Sequence, residues 1–129
     1  MQCVNLQPTK PERLDVFVVE LVGEFDCSER DRLLDAFGTA RNAPIVFVNL
    51  EKTSYLDSTA LGCLAQFHAT TQKRGGRLIL LGVGGTVQRL IETCELNTVF
   101  DIRSTLSDLG MASFAARRLT IEARAPVSS

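Results

Sequence analysis

A length of 129 residues suits one domain with a single hydrophobic core and is too short for two. The composition, 45% hydrophobic and 22% charged, is that of an ordinary globular protein, and the formal net charge of −1 offers no electrostatic basis for binding nucleic acid. No apolar segment approaches the roughly 20 residues of a membrane span. The N-terminus lacks the basic and apolar regions of a secretory signal. We therefore expect a cytoplasmic protein with neither a nucleic-acid nor a membrane partner.

The first third of the chain predicts two strands and a helix. Residues 3–7 are a weak strand candidate, and residues 14–22 are a stronger one, rich in Val, Phe and Leu. The short link between them predicts antiparallel neighbours. After a loop, apolar residues at helical spacing predict a helix over about residues 29–41, which the sequence Asn-Ala-Pro at residues 42–44 ends.

The rest of the chain alternates strands with helices. Apolar runs predict buried strands at residues 45–50 and 77–81, with a helix between them that ends near Lys73. A short helix at residues 86–95, an edge strand at 99–102 and a last helix at 104–119 follow in the predicted order. We expect an ordered core over about residues 3–119 and a frayed tail at residues 120–129. The fold class predicted is α/β: a single domain with a mixed four- to five-stranded β-sheet and about four α-helices.

One helix start carries an unusual concentration of small polar residues. Asp57, Ser58 and Thr59 precede an amphipathic run, and a short polar side chain there can accept hydrogen bonds from the unpaired N–H groups of the first turn. Asp57 is the predicted cap, since its charge also suits the positive end of the helix dipole. The hydroxyls of Ser58 and Thr59 then lie in the first turn, and by the cap rule alone they need no function.

The full string at residues 55–64, Tyr-Leu-Asp-Ser-Thr-Ala-Leu-Gly-Cys-Leu, resembles the signature of the STAS family of anti-sigma-factor antagonists. The centre of that signature is Asp-Ser-Ser/Thr-Gly/Ala-Leu-Gly, after a strand and before a helix. The resemblance implies that the serine directly after the aspartate, here Ser58, is phosphorylated by a partner kinase, with Thr59 as the alternative hydroxyl. Ala60 stands where many members have glycine. Gly62 matches, and a glycine inside a helix indicates close packing or the close approach of a partner.

The resemblance extends over nearly the whole chain, because the predicted order of strands and helices is also that of STAS domains. Residues 23–26, Gly-Glu-Phe-Asp, are similar to a Gly-Glu-Leu-Asp loop that lies near the phosphorylated serine in the family. Asp26 is therefore expected on the same surface as Asp57. The partner-binding residues that the resemblance implies are Asp26, Asp57, Ser58, Thr59, Ala60 and Gly62.

The function implied by the resemblance is that of a phosphorylation-switched anti-sigma factor antagonist. Unphosphorylated, it would bind an anti-sigma factor that is also a serine-protein kinase and so free a sigma factor for transcription, in a stress response or sporulation. Phosphorylation of Ser58 would release this partner, and a serine phosphatase would reset the cycle. The alternative is a constitutive STAS-like partner-binding subunit, such as a stressosome or lipid-transport ATPase component, in which Ser58 is never modified.

The sequence predicts no enzyme, metal site or cofactor. The glycines of residues 82–85 lack the rest of a nucleotide-binding fingerprint and favour a tight turn. His68 and Ser58 lie about three helical turns apart, roughly 15 Å at 1.5 Å per residue, too far for a nucleophile–base pair. His68 is instead expected to be a half-buried helix residue. With one histidine and four scattered cysteines, a zinc site and a disulfide framework are both disfavoured.

Overall fold

Six strands and three α-helices make up the part of the chain that the structure, a computed structural model, describes, namely residues 16–103 and 117–123. The strands are β1 (Val16–Phe25), β2 (Ile45–Asn49), β3 (Thr53–Leu56), β4 (Arg77–Leu81), β5 (Asp101–Arg103) and β6 (Arg117–Glu122). The helices are α1 (Arg30–Thr39), α2 (Ser58–Lys73) and α3 (Gly85–Thr93), and a 3-10 turn, Cys27–Glu29, precedes α1. The α/β class predicted from the sequence is confirmed. Within these residues no helix has both the length and the apolar character needed to cross a membrane.

Strand β1 is the central element of the sheet. Its residues 16–20 pair with β2, its residues 17–22 pair with β6, and its last residues pair with β3. β2 in turn pairs with β4, and β4 pairs with β5. Every pairing among the described strands is parallel, as expected where helices connect successive strands. The predicted antiparallel partner of β1, residues 3–7, lies outside the described residues.

The continuous apolar runs of β1, β2 and β4 are buried on both faces of the sheet. On the helix-covered face, Val19, Val48 and Leu80 are all fully buried. A second cluster on the other face, made of strand residues alone, has Phe47 at its centre. The helices α1 and α2 meet through stacked rings of Phe37 and Phe67, with centroids 4.6 Å apart. Burial on both faces explains why these strands show no polar alternation.

The C-terminal part differs from the prediction. Residues 117–119, predicted to end a helix, and residues 120–122, predicted to begin a frayed tail, together form β6. Their side chains follow a strand pattern, since Ile121 is buried and Leu119 half-buried while Thr120 and Glu122 are exposed. All six residues pair with β1, and this tertiary pairing overrides the local helical pattern. The rest of that predicted helix, residues 104–116, and residues 124–129 lie outside the described part of the chain.

Strand β3 is a second element that the sequence does not predict. It has only four residues and no alternation, with both ends buried and its two middle residues exposed. Thr53 begins the strand, and its hydroxyl donates a hydrogen bond of 2.8 Å to the carbonyl oxygen of Leu21 in β1. The strand therefore depends on β1 rather than on its own sequence, and it sets the position where α2 begins.

Candidate partner-binding site

The ends of β1 and β3 bring two aspartates to the same edge of the sheet. Phe25 and Leu56 are register partners in these parallel strands, and each is followed directly by an aspartate. The backbone N–H of Asp57 donates a hydrogen bond of 3.0 Å to the carbonyl oxygen of Phe25. Asp26 and Asp57 therefore leave the sheet side by side, on one surface, as the sequence predicts.

Both aspartates cap the helical segments that follow them. The Asp57 carboxylate accepts a hydrogen bond of 2.9 Å from the backbone N–H of Ala60 at the start of α2, which confirms the predicted cap. Asp26 accepts hydrogen bonds from the hydroxyl and the backbone N–H of Ser28, at 2.6 and 2.9 Å. These bonds hold the pKa of Asp26 below its usual value. The site therefore carries two carboxylates, both engaged in holding local structure.

Ser58 and Thr59 are the first two residues of α2, and both are exposed to solvent. The first turn of a helix has backbone N–H groups without helical acceptors, and the helix dipole places its positive end there. The two hydroxyls are thus accessible from solvent and lie where an added negative charge is stabilised.

Ala60 and Gly62 have different surroundings, and the burial of Ala60 differs from its expected place among the partner-binding residues. The Ala60 side chain is fully buried, so it supports the site from within and its methyl group is no part of a contact surface. Gly62 is exposed, and a Cβ atom built on it would meet nothing within 4 Å. Close packing inside the protein is therefore not the reason for this helical glycine.

A cavity of about 450 Å³ opens beside Ser58 and is here called the Ser58 groove. Its lining residues are Tyr55, Leu56, Asp57, Ser58, Thr86, Arg89, Leu90 and Thr93. One wall is the β3–α2 junction and the other is α3. Tyr55 is 44% exposed, a large exposure for an aromatic side chain. No local sequence signal would have found the α3 wall, because nothing in the sequence of α3 shows which element it faces.

Gly82 and His68, candidates from the sequence for nucleotide binding and for catalysis, both have structural explanations. Gly82 has a positive φ of 65°, and a Cβ there would collide with the side chain of Glu51, which accounts for the glycine as part of a tight turn. His68 is only 4% exposed rather than half-buried, because it packs against Phe100 with ring centroids 5.4 Å apart. Burial lowers the pKa of His68, and neither ring nitrogen has a hydrogen-bond partner in the described part of the chain. Those residues also contain no cluster of three metal-ligating side chains.

Known proteins resemble this chain at the level of sequence family and of fold. The family model for the STAS domain matches residues 7–109. Anti-sigma-B factor antagonists from Listeria monocytogenes and Listeria innocua are each 22% identical over 108 residues, which cover 82% of this chain and 92% of the relative.

Two solved structures share the fold. The anti-sigma factor antagonist SpoIIAA, in its unphosphorylated form, aligns with a TM-score of 0.64 and 22% identity over 75% of this chain and 86% of that one. The STAS domain of a SulP transporter from Vibrio cholerae aligns with a TM-score of 0.61 and 16% identity over 83% of this chain and 85% of that one. At these identities the likeness concerns the fold alone.

Proposed function

Because the chain belongs to the STAS domain family, we propose that it is an anti-sigma factor antagonist whose partner binding is switched by phosphorylation of Ser58. With Ser58 unmodified, the protein binds an anti-sigma factor that is also a serine kinase, and a sigma factor is released for transcription. The general role of anti-sigma factor antagonist agrees with the names of the Listeria relatives, which are anti-sigma-B factor antagonists.

The observation that carries the proposal is the placement of Ser58. Its hydroxyl is exposed on the first turn of α2, directly after the Asp57 cap and at the rim of the Ser58 groove. A kinase can reach it without unfolding any element. Beside it, the groove and the exposed ring of Tyr55 offer the kind of concave, partly apolar surface on which a partner side chain can be buried. Thr59 is also exposed, but Ser58 alone follows the cap directly.

Phosphorylation transfers the γ-phosphoryl group of ATP to the Ser58 hydroxyl oxygen, with release of ADP and the hydroxyl proton. The phosphate adds about −1.5 to −2 charges at pH 7. The free N–H groups at the start of α2 accommodate this charge, so the fold has no reason to rearrange. What changes is the surface, where a bulky dianion now stands beside the carboxylates of Asp57 and Asp26. A partner docked against a small neutral hydroxyl must desolvate that charge or clash with it, and release follows. A serine phosphatase restores the binding form.

A second candidate function is a constitutive partner-binding subunit, as in a stressosome or a lipid-transport ATPase, with Ser58 never modified. The fold's likeness to the STAS domain of a SulP transporter supports this candidate, because such a domain belongs to a different kind of protein. In this case the Ser58 groove still binds a partner, but no phosphate regulates it.

Treatment with ATP and the candidate anti-sigma factor kinase, followed by intact-mass and peptide analysis, separates the two candidates. We expect one phosphate on Ser58, its loss in Ser58→Ala, and its retention in the matched control Thr59→Ala. A protein that stays unmodified favours the constitutive subunit. Undiminished phosphorylation of Ser58→Ala contradicts the assignment of Ser58.

A further inference from the structure

Arg89 faces Ser58 across the Ser58 groove and forms no ion pair with the residues that the structure describes. Arg89 lies on α3, is exposed, and lines the groove on the wall opposite Ser58. Within residues 16–103 and 117–123, no carboxylate lies within ion-pair distance of its guanidinium. Some other arginines in these residues are paired with acids, such as Arg77, which lies 2.8 Å from a carboxylate oxygen of Asp101.

The groove also contains one acidic side chain, which forms no ion pair with Arg89. Asp57 lines the same cavity, but its carboxylate is held by the backbone N–H of Ala60 at the start of α2. The unmodified groove therefore has one wall with a hydroxyl at the positive end of a helix and another wall with a cation that no described carboxylate pairs. An anion placed on Ser58 would meet positive potential from the helix start and from Arg89, which offsets the negative charge of the neighbouring Asp57 and Asp26 carboxylates.

We propose that Arg89 is the internal receptor for the phosphate on Ser58, so that phosphorylation closes the Ser58 groove with an ion pair. The inference rests on the proposed function. A guanidinium presents a rigid fork of N–H donors that matches two phosphate oxygens, and such charge-assisted pairs are the stronger class of hydrogen bond. The start of α2 binds the remaining phosphate oxygens through its free N–H groups.

The consequence is that one modification removes three features from the docking surface. The neutral hydroxyl becomes a dianion, the unpaired guanidinium becomes engaged, and the opening over Tyr55 and Leu90 is bridged. Release of the partner then follows from a groove closed by the protein's own side chains as well as from charge repulsion.

Arg30 is a second arginine near α2, and it serves as the matched control for Arg89. It is the first residue of α1, and it is absent from the lining of the Ser58 groove. Burial raises the pKa of the Cys63 thiol on α2, and the charge of Arg30 acts against that shift. Arg30 also has a carboxylate within reach, since Asp31 lies 3.6 Å away. It is a cation of the same kind on a helix that packs against α2, but outside the groove.

The test places phosphoserine at position 58 during translation, so that no kinase is needed, and follows the phosphate by phosphorus NMR as a function of pH. The second pKa of phosphoserine is about 6, and a paired guanidinium lowers it by favouring the dianion. We expect Arg89→Gln to raise this measured pKa by about half a pH unit or more, because the opposite charge is lost. Arg89→Lys should restore part of the difference, and Arg30→Gln should leave the value close to that of the parent protein.

An unchanged pKa in Arg89→Gln, or a larger rise in Arg30→Gln, overturns the inference. Arg89 is exposed, so neither substitution removes core packing, and Arg89→Lys provides a second folded variant of the same position. Because the phosphate is introduced without a kinase, the titration does not depend on the proposed kinase, and the difference between Arg89→Gln and the parent protein reports on Arg89. The proposed function can fail, through the absence of any kinase, while the pKa shift is still observed.

Discussion

The backbone N–H of Asp57 donates to the carbonyl oxygen of Phe25 over 3.0 Å, and this bond ties the start of α2 to the end of β1. Because Phe25 and Leu56 are also register partners, the residues that follow them, Asp26 and Asp57, are fixed next to each other. The exposed hydroxyl of Ser58 is thereby placed on a rigid junction of the sheet rather than on a free loop. The backbone of this surface can therefore stay in place when the charge on Ser58 changes.

The Asp57 cap gives the first prediction. Asp57→Ala should lower the free energy of unfolding by about 1 kcal/mol, since it removes the acceptor of the Ala60 N–H. It should also slow the phosphorylation of Ser58. Asp57→Asn keeps a capping oxygen without the charge, and it should retain most of the stability. Urea denaturation and a phosphorylation time course measure both effects; an unchanged midpoint together with an unchanged rate would show that Asp57 has neither role.

Gly62 gives a prediction in which stability and binding change in opposite directions. Gly62→Ala should stabilise the fold by up to about 1 kcal/mol, because alanine is the better helix former and the added methyl group meets nothing within 4 Å. If the glycine exists to let a partner approach, the same change should weaken partner binding. Gly38→Ala is the control, since a Cβ there also meets nothing within 4 Å and Gly38 lies on α1 rather than on α2, the helix that carries Ser58. Equal partner affinity in all three proteins would remove Gly62 from the binding surface.

Tyr55 is predicted to be an anchor for the partner. Tyr55→Ala should change the free energy of unfolding by no more than about 0.5 kcal/mol, as is usual for exposed positions, since the ring is 44% exposed. Partner affinity should nevertheless fall about tenfold or more, which corresponds to about 1.4 kcal/mol. Val99, 43% exposed and absent from the groove lining, provides the control Val99→Ala. Calorimetric titration with the partner compares them, and a similar affinity in both variants would exclude Tyr55 as an anchor.

His68 makes stability depend on pH. Burial lowers its pKa in the folded protein, and the weaker influence of the Asp101 carboxylate acts in the opposite direction. The unfolded chain therefore takes up a proton at higher pH than the folded one, near about pH 6.5. Stability is full above that pH and declines as the pH falls toward the lowered pKa of the folded state.

His68→Leu is the variant that tests this dependence. It removes the buried, titratable ring, so its unfolding free energy should vary less than that of the parent protein between about pH 7.5 and about pH 5.5. Urea midpoints at both pH values provide the comparison. The same decline in both proteins would mean that other groups cause it.

Local signals explain what could be predicted from the sequence. Asp57 is a capping residue followed by an amphipathic run, and the bounds of α2 follow from that pattern together with the glycines after Lys73. The apolar runs of β2 and β4 predict buried strands for the same reason, because an apolar run can be recognised in the sequence without knowing which element packs against it. The match to the STAS signature extends these signals to a fold.

Features that depend on contacts between segments far apart in the sequence could not be predicted. Strand β6 exists because β1 pairs with all of it, although residues 117–119 continue a helical pattern in the sequence. Strand β3 likewise has the end of β1 as its pairing partner among the described strands. Arg89 could not be linked to Ser58, because their shared groove forms only when α3 lies beside the β3–α2 junction. The burial of Ala60 also depends on packing that the signature does not reveal.

The affinity of the anti-sigma factor for this protein, with Ser58 unmodified and with phosphoserine at position 58, tests the phosphorylation switch most directly. We expect the phosphorylated form to bind at least about a hundredfold more weakly, a difference of about 2.7 kcal/mol, because the partner must desolvate a dianion over a closed groove. Ser58→Ala should bind like the unmodified protein. Equal affinity of the phosphorylated and unmodified forms would contradict the switch and leave constitutive binding as the function of this surface.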